Sequence, residues 1–329
     1  MPAPAILSRR RFGGLIAGAA LAPHALSAAD FPSRQIRIVV PYPPGGPTDA
    51  LARILAADLQ ATLGQPVIVE NKPGASGALG SREVAKADPD GHTLVLGNNQ
   101  THATNAFLLK DAGYDPVRDF AAVAGLADLQ HVLVVRKDLG ARTVADLVAI
   151  ATRDPGKLNY GSTGLGSGSH LAMELFKSRT GTQMQHVPFR GAAPMVLEII
   201  AGRIDVSFAT LPSVLGQIEA GEMIALAIAS HARAPQLPAV PLLKEQGVTE
   251  GEADSWLALW APAATPPAIV ATLSKAVLGA LAKPDIAAAA TKQGIAVNLR
   301  GSADFAAYQA LEMQKWADVI RAANIKVDG

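Results

Sequence analysis

There is no cysteine anywhere in the 329 residues. That excludes a disulfide framework, a thiol nucleophile, a lipid-bearing cysteine anchor and thiolate metal sites. Aromatic residues make up only 5% and charged residues 17%, and with hydrophobics at 49% the composition is that of a globular chain. Neither sign of charge dominates. Residues 1–29 carry three arginines and no acid, leaving 26 basic against 28 acidic residues in the remainder, so no polybasic patch points to nucleic acid or an anionic membrane. Beyond the N-terminal segment, no apolar run approaches the ~20 residues that span a bilayer.

What is there begins with a targeting pattern. Ser8-Arg9-Arg10-Arg11-Phe12 forms a basic start, Gly13 to Ala22 is uncharged and apolar, and small residues follow at Ser27-Ala28-Ala29. This is the layout of a cleavable bacterial export signal over residues 1–29, with a twin-arginine flavour. The mature protein is therefore expected to be soluble and periplasmic.

After it, strands alternate with helices, which predicts an α/β fold with parallel sheets and crossover helices. Strands are expected at Ile36 to Val40, Val67 to Val69, Thr93 to Gly97, His131 to Arg136, Leu158 to Gly161, Met184 to Val187, Arg203 to Phe208, Ile224 to Ala229 and Ser255 to Ala261. Three helical stretches close the chain, at about 267–281, 284–293 and 303–323. That last segment has too few strands for its own sheet, so it is expected to pack back on the first unit. The predicted division is residues 30–129 with 254–329 as domain I and 130–253 as domain II, with two hinge strands near His131 and Trp256 crossing between them.

The stretch Ile36 to Leu55, IRIVVPYPPGGPTDALARIL, is the most informative. A β-branched strand stops at Pro41, a loop with Gly45-Gly46 follows, and a helix opens at Pro47, where a missing N–H costs nothing. Thr48 or Asp49 is expected to cap it. Strand, glycine loop and helix N-terminus aim unpaired N–H groups at one point, an anion site. The loop holds no Lys, Arg, Cys or His, so it looks built to hold an anion rather than transform one.

Two further strand–loop–helix junctions resemble it. Gly161-Ser-Thr-Gly-Leu-Gly-Ser-Gly-Ser-His170 offers small hydroxyl donors and close backbone approach. Its glycines miss the dinucleotide fingerprint, and no lysine follows to make a P-loop. Pro188-Phe189-Arg190-Gly191-Ala192-Ala193-Pro194 brings the one cation of these loops, Arg190, either a bidentate partner for a carboxylate or a solvated rim residue. Asp205 interrupts an apolar strand and either ties down a neighbouring loop or receives an ammonium or water from a ligand. Phe189 and Tyr42 could wall a cleft.

Catalysis finds little support. No G-x-S-x-G elbow occurs, and His170, at the start of a helix, reads as a structural or lining residue before a base. His102, His131 and His186 stand singly without metal-ligand spacing, and no two acids share a strand-end loop. Reversible binding needs none of these groups: micromolar affinity is about −8 kcal/mol, within reach of several charge-assisted hydrogen bonds of about 1.5–3 kcal/mol each.

Several dispersed stretches together resemble one family, the periplasmic solute receptors of tripartite tricarboxylate transporters (Bug-type receptors). They are 31–56, FPSRQIRIVVPYPPGGPTDALARILA; 69–98, VENKPGASGALGSREVAKADPDGHTLVLGN; 158–177, LNYGSTGLGSGSHLAMELFK; 186–194, HVPFRGAAP; 201–208, AGRIDVSF; and 256–273, WLALWAPAATPPAIVATL. The resemblance covers essentially the whole mature chain. It implies a type II periplasmic-binding-protein fold, two α/β domains joined by two hinge strands and closing over a ligand. It implies a small carboxylate (a di- or tricarboxylate, an acidic amino acid or an aromatic acid) held by loop backbone groups and bridging waters. Carried over by motif, the ligand-binding candidates are Tyr42, Gly46, Thr48, Asn98 and Thr101, then Ser162, Thr163, Ser167, Arg190, Ala192 and Asp205. No cofactor, metal or catalytic residue is implied.

The chain departs from the family at position 190, more often Lys, at Ala239, which replaces a usual acid, and in the variable stretch Asn98 to His102. The reading is a monomeric receptor delivering a carboxylate to membrane permease subunits. A sensor partnering a membrane kinase, or a hydrolase using His170 and a nearby serine, are the alternatives.

Overall fold

A computed structural model describes residues 31–323 and 325; the export signal expected over residues 1–29 lies outside the described residues. The chain forms two sheets, each flanked by helices. Its elements run β1 (Ile36–Val40), α1 (Pro47–Leu63), β2 (Val67–Asn71), α2 (Ala78–Ala85), β3 (Thr93–Asn98), a π-helical turn at Gln100–Thr104, α3 (Asn105–Leu108) and β4 (Phe120–Leu129). Then come β5 (His131–Arg136), α4 (Val144–Arg153), β6 (Asn159–Ser162), α5 (Gly168–Thr180), β7 (Gln185–Pro188), α6 (Ala192–Ile200), β8 (Val206–Thr210), α7 (Leu211–Glu219) and β9 (Met223–Ile228). The chain closes with β10 (Ser255–Pro262), α8 (Pro267–Leu281), α9 (Pro284–Lys292), β11 (Ala296–Arg300) and α10 (Ser302–Ala322).

The first sheet has the order β11-β4-β10-β3-β1-β2 and the second β7-β6-β8-β5-β9. Both are mixed rather than wholly parallel, as the alternating pattern had suggested. β1 pairs in parallel with β2 and β3, and β6 with β7 and β8. β10 and β5 run antiparallel to both their neighbours. Each of these two is the strand that enters its sheet straight from the other one, which is why its direction is reversed. The first crossing is almost continuous: β4 ends at Leu129, β5 begins at His131, and Gln130 alone stands between the sheets. The second passes through Ala253 and Asp254 into β10, whose Ser255 pairs with Leu129.

β4 and β11 carry no clear signal in the sequence. β4 reads FAAVAGLADL, dominated by alanine and glycine, and Val123 is its one β-branched residue. Pairing on both edges by β10 and β11 supplies what propensity does not. The strand expected from Arg203 begins only at Val206, and α7 follows β8 directly at Leu211, where Pro212 suits the first turn.

β10 is buried on both faces along all eight residues. Leu257 and Leu259 join the core formed with α1 and α8, while Trp256 and Trp260 face α10, against Phe305 and Trp316. The indole N–H groups are satisfied: Trp256 and Trp316 donate to Glu312 at 3.2 and 3.0 Å, and Trp260 donates to Gln309 at 3.3 Å. One strand thus anchors helices on both sides of its sheet and starts at the crossing.

A candidate anion-binding cleft between the two sheets

The first-loop motif folds much as its sequence suggests, with one change. The cap of α1 is Gly46, extended at φ −82°, ψ 170°, with Pro47 in the first position, while Thr48 and Asp49 lie inside the helix. Asp49 instead ties the loop back on itself. Its carboxylate accepts from the Gly45 N–H at 2.9 Å, from Asn71 at 3.0 Å and from Arg53. Burial alone would raise its pKa, but these hydrogen bonds outweigh that and hold it below the ordinary carboxylate range. Its charge is thereby spent within the loop.

Between the two sheets lies a cavity of about 660 Å³. Four helices begin on its wall: α1 at Gly46, α5 at Ser167, α6 at Gly191 and α7 at Thr210. Each leaves its first N–H groups without intrahelical partners and turns the positive end of its dipole toward the same space. Glu219 is the one acid of the lining, and it is exposed. Arg190 and Lys292, also exposed, are the cations. The wall is otherwise neutral, its prolines, alanines and leucines interspersed with polar groups from Tyr42, Asn98, Gln100, His131, Thr163, Ser169, Ser213 and Ser255. No group of three or more His, Cys, Asp or Glu side chains suited to a metal occurs among the described residues.

Of the residues singled out in the sequence, Tyr42, Gly46, Thr48, Asn98, Thr163, Ser167, Arg190 and Ala192 stand on this wall. Tyr42 donates its hydroxyl hydrogen to Asn98 Oδ1 at 2.5 Å, and the Gln100 N–H donates to the same oxygen at 2.8 Å. The amide oxygen of Asn98 is thus occupied, and its NH2 has no protein partner among the described residues. Ser167 caps α5, accepting from the His170 N–H at 3.4 Å, and donates to the Gly164 carbonyl at 2.7 Å. The Thr163 N–H donates to Ser169 Oγ at 2.9 Å, so this loop is held by its own hydroxyls.

Three of the candidates are not part of the lining. Thr101 is fully buried, accepting from the Asn98 N–H and donating to the Asn98 carbonyl, both at 3.1 Å. It positions Asn98. Ser162 is fully buried with its Oγ 2.6 Å from His186 Nε2 and 3.0 Å from the Gly164 carbonyl. Asp205 takes Arg136 Nε at 2.8 Å on one oxygen and the Asn159 N–H at 2.8 Å on the other, which locks β8 to the start of β6.

Four buried histidines, His102, His131, His170 and His186, are neutral fixtures. His102 lies flat on Trp260, ring centres 3.6 Å apart, and burial pushes its pKa down to about 3. His170 and His186 stack at 4.0 Å beside Tyr160. Burial depresses both to about 4, with Lys177 adding to the effect at His170. His170 Nδ1 accepts the Gly166 N–H at 3.0 Å, so that lone pair shapes the loop and is not available to a serine. The Ser162–His186 contact does resemble a hydrolytic pair, but its hydroxyl is sealed from solvent.

Sequence reading missed His131 and Ser255, the first residues of the two crossing strands. His131, 2% exposed, sits 2.6 Å through Nδ1 from the Ala253 carbonyl, so the two crossings are tied by this ring. Burial pushes its pKa down to about 4, against the opposing pull of that carbonyl. At both rims the two halves touch. Thr104 donates to the Gly166 carbonyl at 3.1 Å, and Gln100 to that of Leu165 at 3.4 Å. On the other side Gly294 packs on Pro212 closely enough that an added Cβ would stand 3.1 Å from its nitrogen.

Comparison with known proteins agrees with this geometry. Residues 51–325 match the profile of the tripartite tricarboxylate transporter family receptor. The chain is 35% identical over 303 residues to protein BugT of Bordetella pertussis, covering 92% of this chain and 93% of that one. Among solved structures, Rpa4515 of R. palustris with adipate aligns with a TM-score of 0.86 at 36% identity, covering 90% of this chain and 99% of the other. MatC of Rhodopseudomonas palustris with bound malate aligns at 0.81 and 33%, covering 88% and 100%. The fold is that of the two-domain periplasmic binding proteins, and the chain belongs to the tripartite tricarboxylate transporter receptor family, a family of solute-binding receptors.

Proposed function

We propose that this protein is an exported, non-catalytic receptor that captures a small carboxylate in the cavity between its sheets and delivers it to membrane permease subunits. In this reading residues 30–129 with 254–329 form one lobe and 130–253 the other. The two crossings at Gln130 and at Ala253–Asp254 serve as the hinge, and domain closure around the ligand is a hinge motion. Ligand contacts are assigned to Tyr42, Gly46, Thr48, Asn98, Thr163, Ser167, Arg190 and Ala192. Thr101, Ser162 and Asp205 are assigned to the support of those contacts.

The convergence of four helix N-termini on one cavity with no acid on its inner wall supports this most directly. Each such terminus contributes about 0.3–1 kcal/mol toward an anion, and more when partly buried. Arg190 and Lys292, both on the lining, suit a second carboxylate on the same molecule. The solved relatives with adipate and malate make dicarboxylates the first class to try. No helix of the described residues is long and apolar enough to cross a membrane, which agrees with a receptor that works beside a permease rather than within the bilayer.

Thermal unfolding with a panel of carboxylates is the test: succinate, malate, adipate, citrate, glutamate and benzoate. A ligand at a hundred times its Kd stabilises the folded state by about 2.7 kcal/mol, a readily measured rise in Tm. The rise is expected for at least one acid and absent for its amide or ester. A flat panel would remove the carboxylate reading.

A further inference from the structure

We infer that His131 is a specificity-determining residue, and that the ligand it selects carries a hydroxyl on the carbon next to its carboxylate. This rests on the carboxylate reading above and narrows it. The ring geometry fixes the chemistry. A backbone carbonyl can only accept, so the nitrogen 2.6 Å from the Ala253 oxygen must carry the hydrogen. In the neutral ring the other nitrogen, Nε2, is then an acceptor and nothing else. It has no protein partner among the described residues, and His131 is part of the cavity wall. Facing the cavity, it can be matched by water while the cleft is open; a ligand that displaces that water is expected to bring it a donor in exchange.

The place of that acceptor decides which part of the ligand it meets. An added Cβ at Gly168, the first residue of α5, would stand 2.8 Å from His131 Cε1 and 3.3 Å from Nε2. The imidazole therefore lies against the helix terminus that offers N–H groups to a carboxylate. A carboxylate held there brings its adjacent carbon to the ring. An ammonium on that carbon would also donate, but it would leave water for a wall whose one acid, Glu219, is exposed and unsuited as a buried counter-charge. A neutral hydroxyl meets the acceptor without that penalty.

Calorimetric titration of the full mature chain with succinate, malate and aspartate, and with adipate and 2-hydroxyadipate, tests this directly. The hydroxy acid is expected to bind on the order of tenfold tighter than its unsubstituted partner, as one neutral hydrogen bond allows, and malate tighter than aspartate. His131→Asn keeps an N–H at the position of Nδ1, and with it the Ala253 bond, but removes Nε2. In that variant the ratio of hydroxy acid to plain acid is expected to fall to about one, whatever happens to the absolute affinity of either. The wild-type ratios need no variant, so poor folding of the mutant does not spare the inference. Equal affinity of hydroxylated and plain acids, a ratio that survives in His131→Asn, or binding of benzoate alone from the wider panel would each overturn it while leaving a carboxylate receptor standing. Binding of no carboxylate at all would overturn both.

Discussion

At the scale of single residues, the histidines set how the protein responds to acid. His102, His131, His170 and His186 all have folded pKa values below 6.5, at about 3 for His102 and about 4 for the others, because burial disfavours the charged ring. The unfolded chain therefore binds protons more readily than the folded one between about pH 4 and 6.5, and stability rises with pH across that window. Asp254 acts in the opposite sense. Burial pushes it up to about 7, so the folded chain keeps a proton that the unfolded chain releases, and stability drains as pH climbs from 3.8 toward 7. Four groups oppose one. Denaturant midpoints are expected to climb from about pH 5 to about pH 6.5 and then level off; a flat or falling midpoint over that range would contradict the burial argument. These environments were not legible in the chain, where each histidine stands alone. The same holds for the site: Thr101, Ser162 and Asp205 sit in the right loops, but a loop sequence does not say which side chain faces the cleft and which braces its neighbour. His131 and Ser255 acquire their role only where the two crossings, 124 residues apart in sequence, lie side by side.

At the scale of elements, legibility followed local determinants. β1 and the start of α1 were visible because a β-branched run, a glycine turn and a first-turn proline each act within a few residues. β4 and β11 were not, since alanine-rich and short edge strands exist by virtue of the partners that pair with them. The same dependence makes β10 the keystone of the first lobe. Its two tryptophans pack against α10, where Trp316 is fully buried and shares Glu312 with Trp256. Trp316→Ala removes that packing and leaves Glu312 with one indole donor fewer, a loss of about 3–5 kcal/mol. Trp316 is no part of the cleft wall, so the folded fraction is expected to bind ligand with unchanged affinity. Urea denaturation together with titration on the folded variant would separate the two effects; a loss of affinity without loss of stability would mean that α10 reaches the cleft.

At the scale of the whole molecule, the cleft exists only while the two halves meet, and one rim contact is built around a missing side chain. Gly166 stands at φ +70° with its carbonyl accepting from Thr104, and a Cβ there would lie 2.3 Å from Leu108 Cδ1 across the interface. A binding-competent state that is only partly populated lowers the apparent affinity by that fraction. Gly166→Ala is therefore expected to weaken ligand binding severalfold while leaving every side chain of the cavity wall in place, and to enlarge the radius of gyration of the liganded protein in solution scattering. Alanine at a left-handed position also carries backbone strain of about 1 kcal/mol, which would weaken the loop without any wedge. The double variant Gly166→Ala with Leu108→Ala distinguishes the two causes. Clearing Leu108 relieves the collision but not the strain, so recovery of most of the affinity would identify closure of the two halves as the quantity disturbed, whereas no recovery would assign the loss to the loop alone.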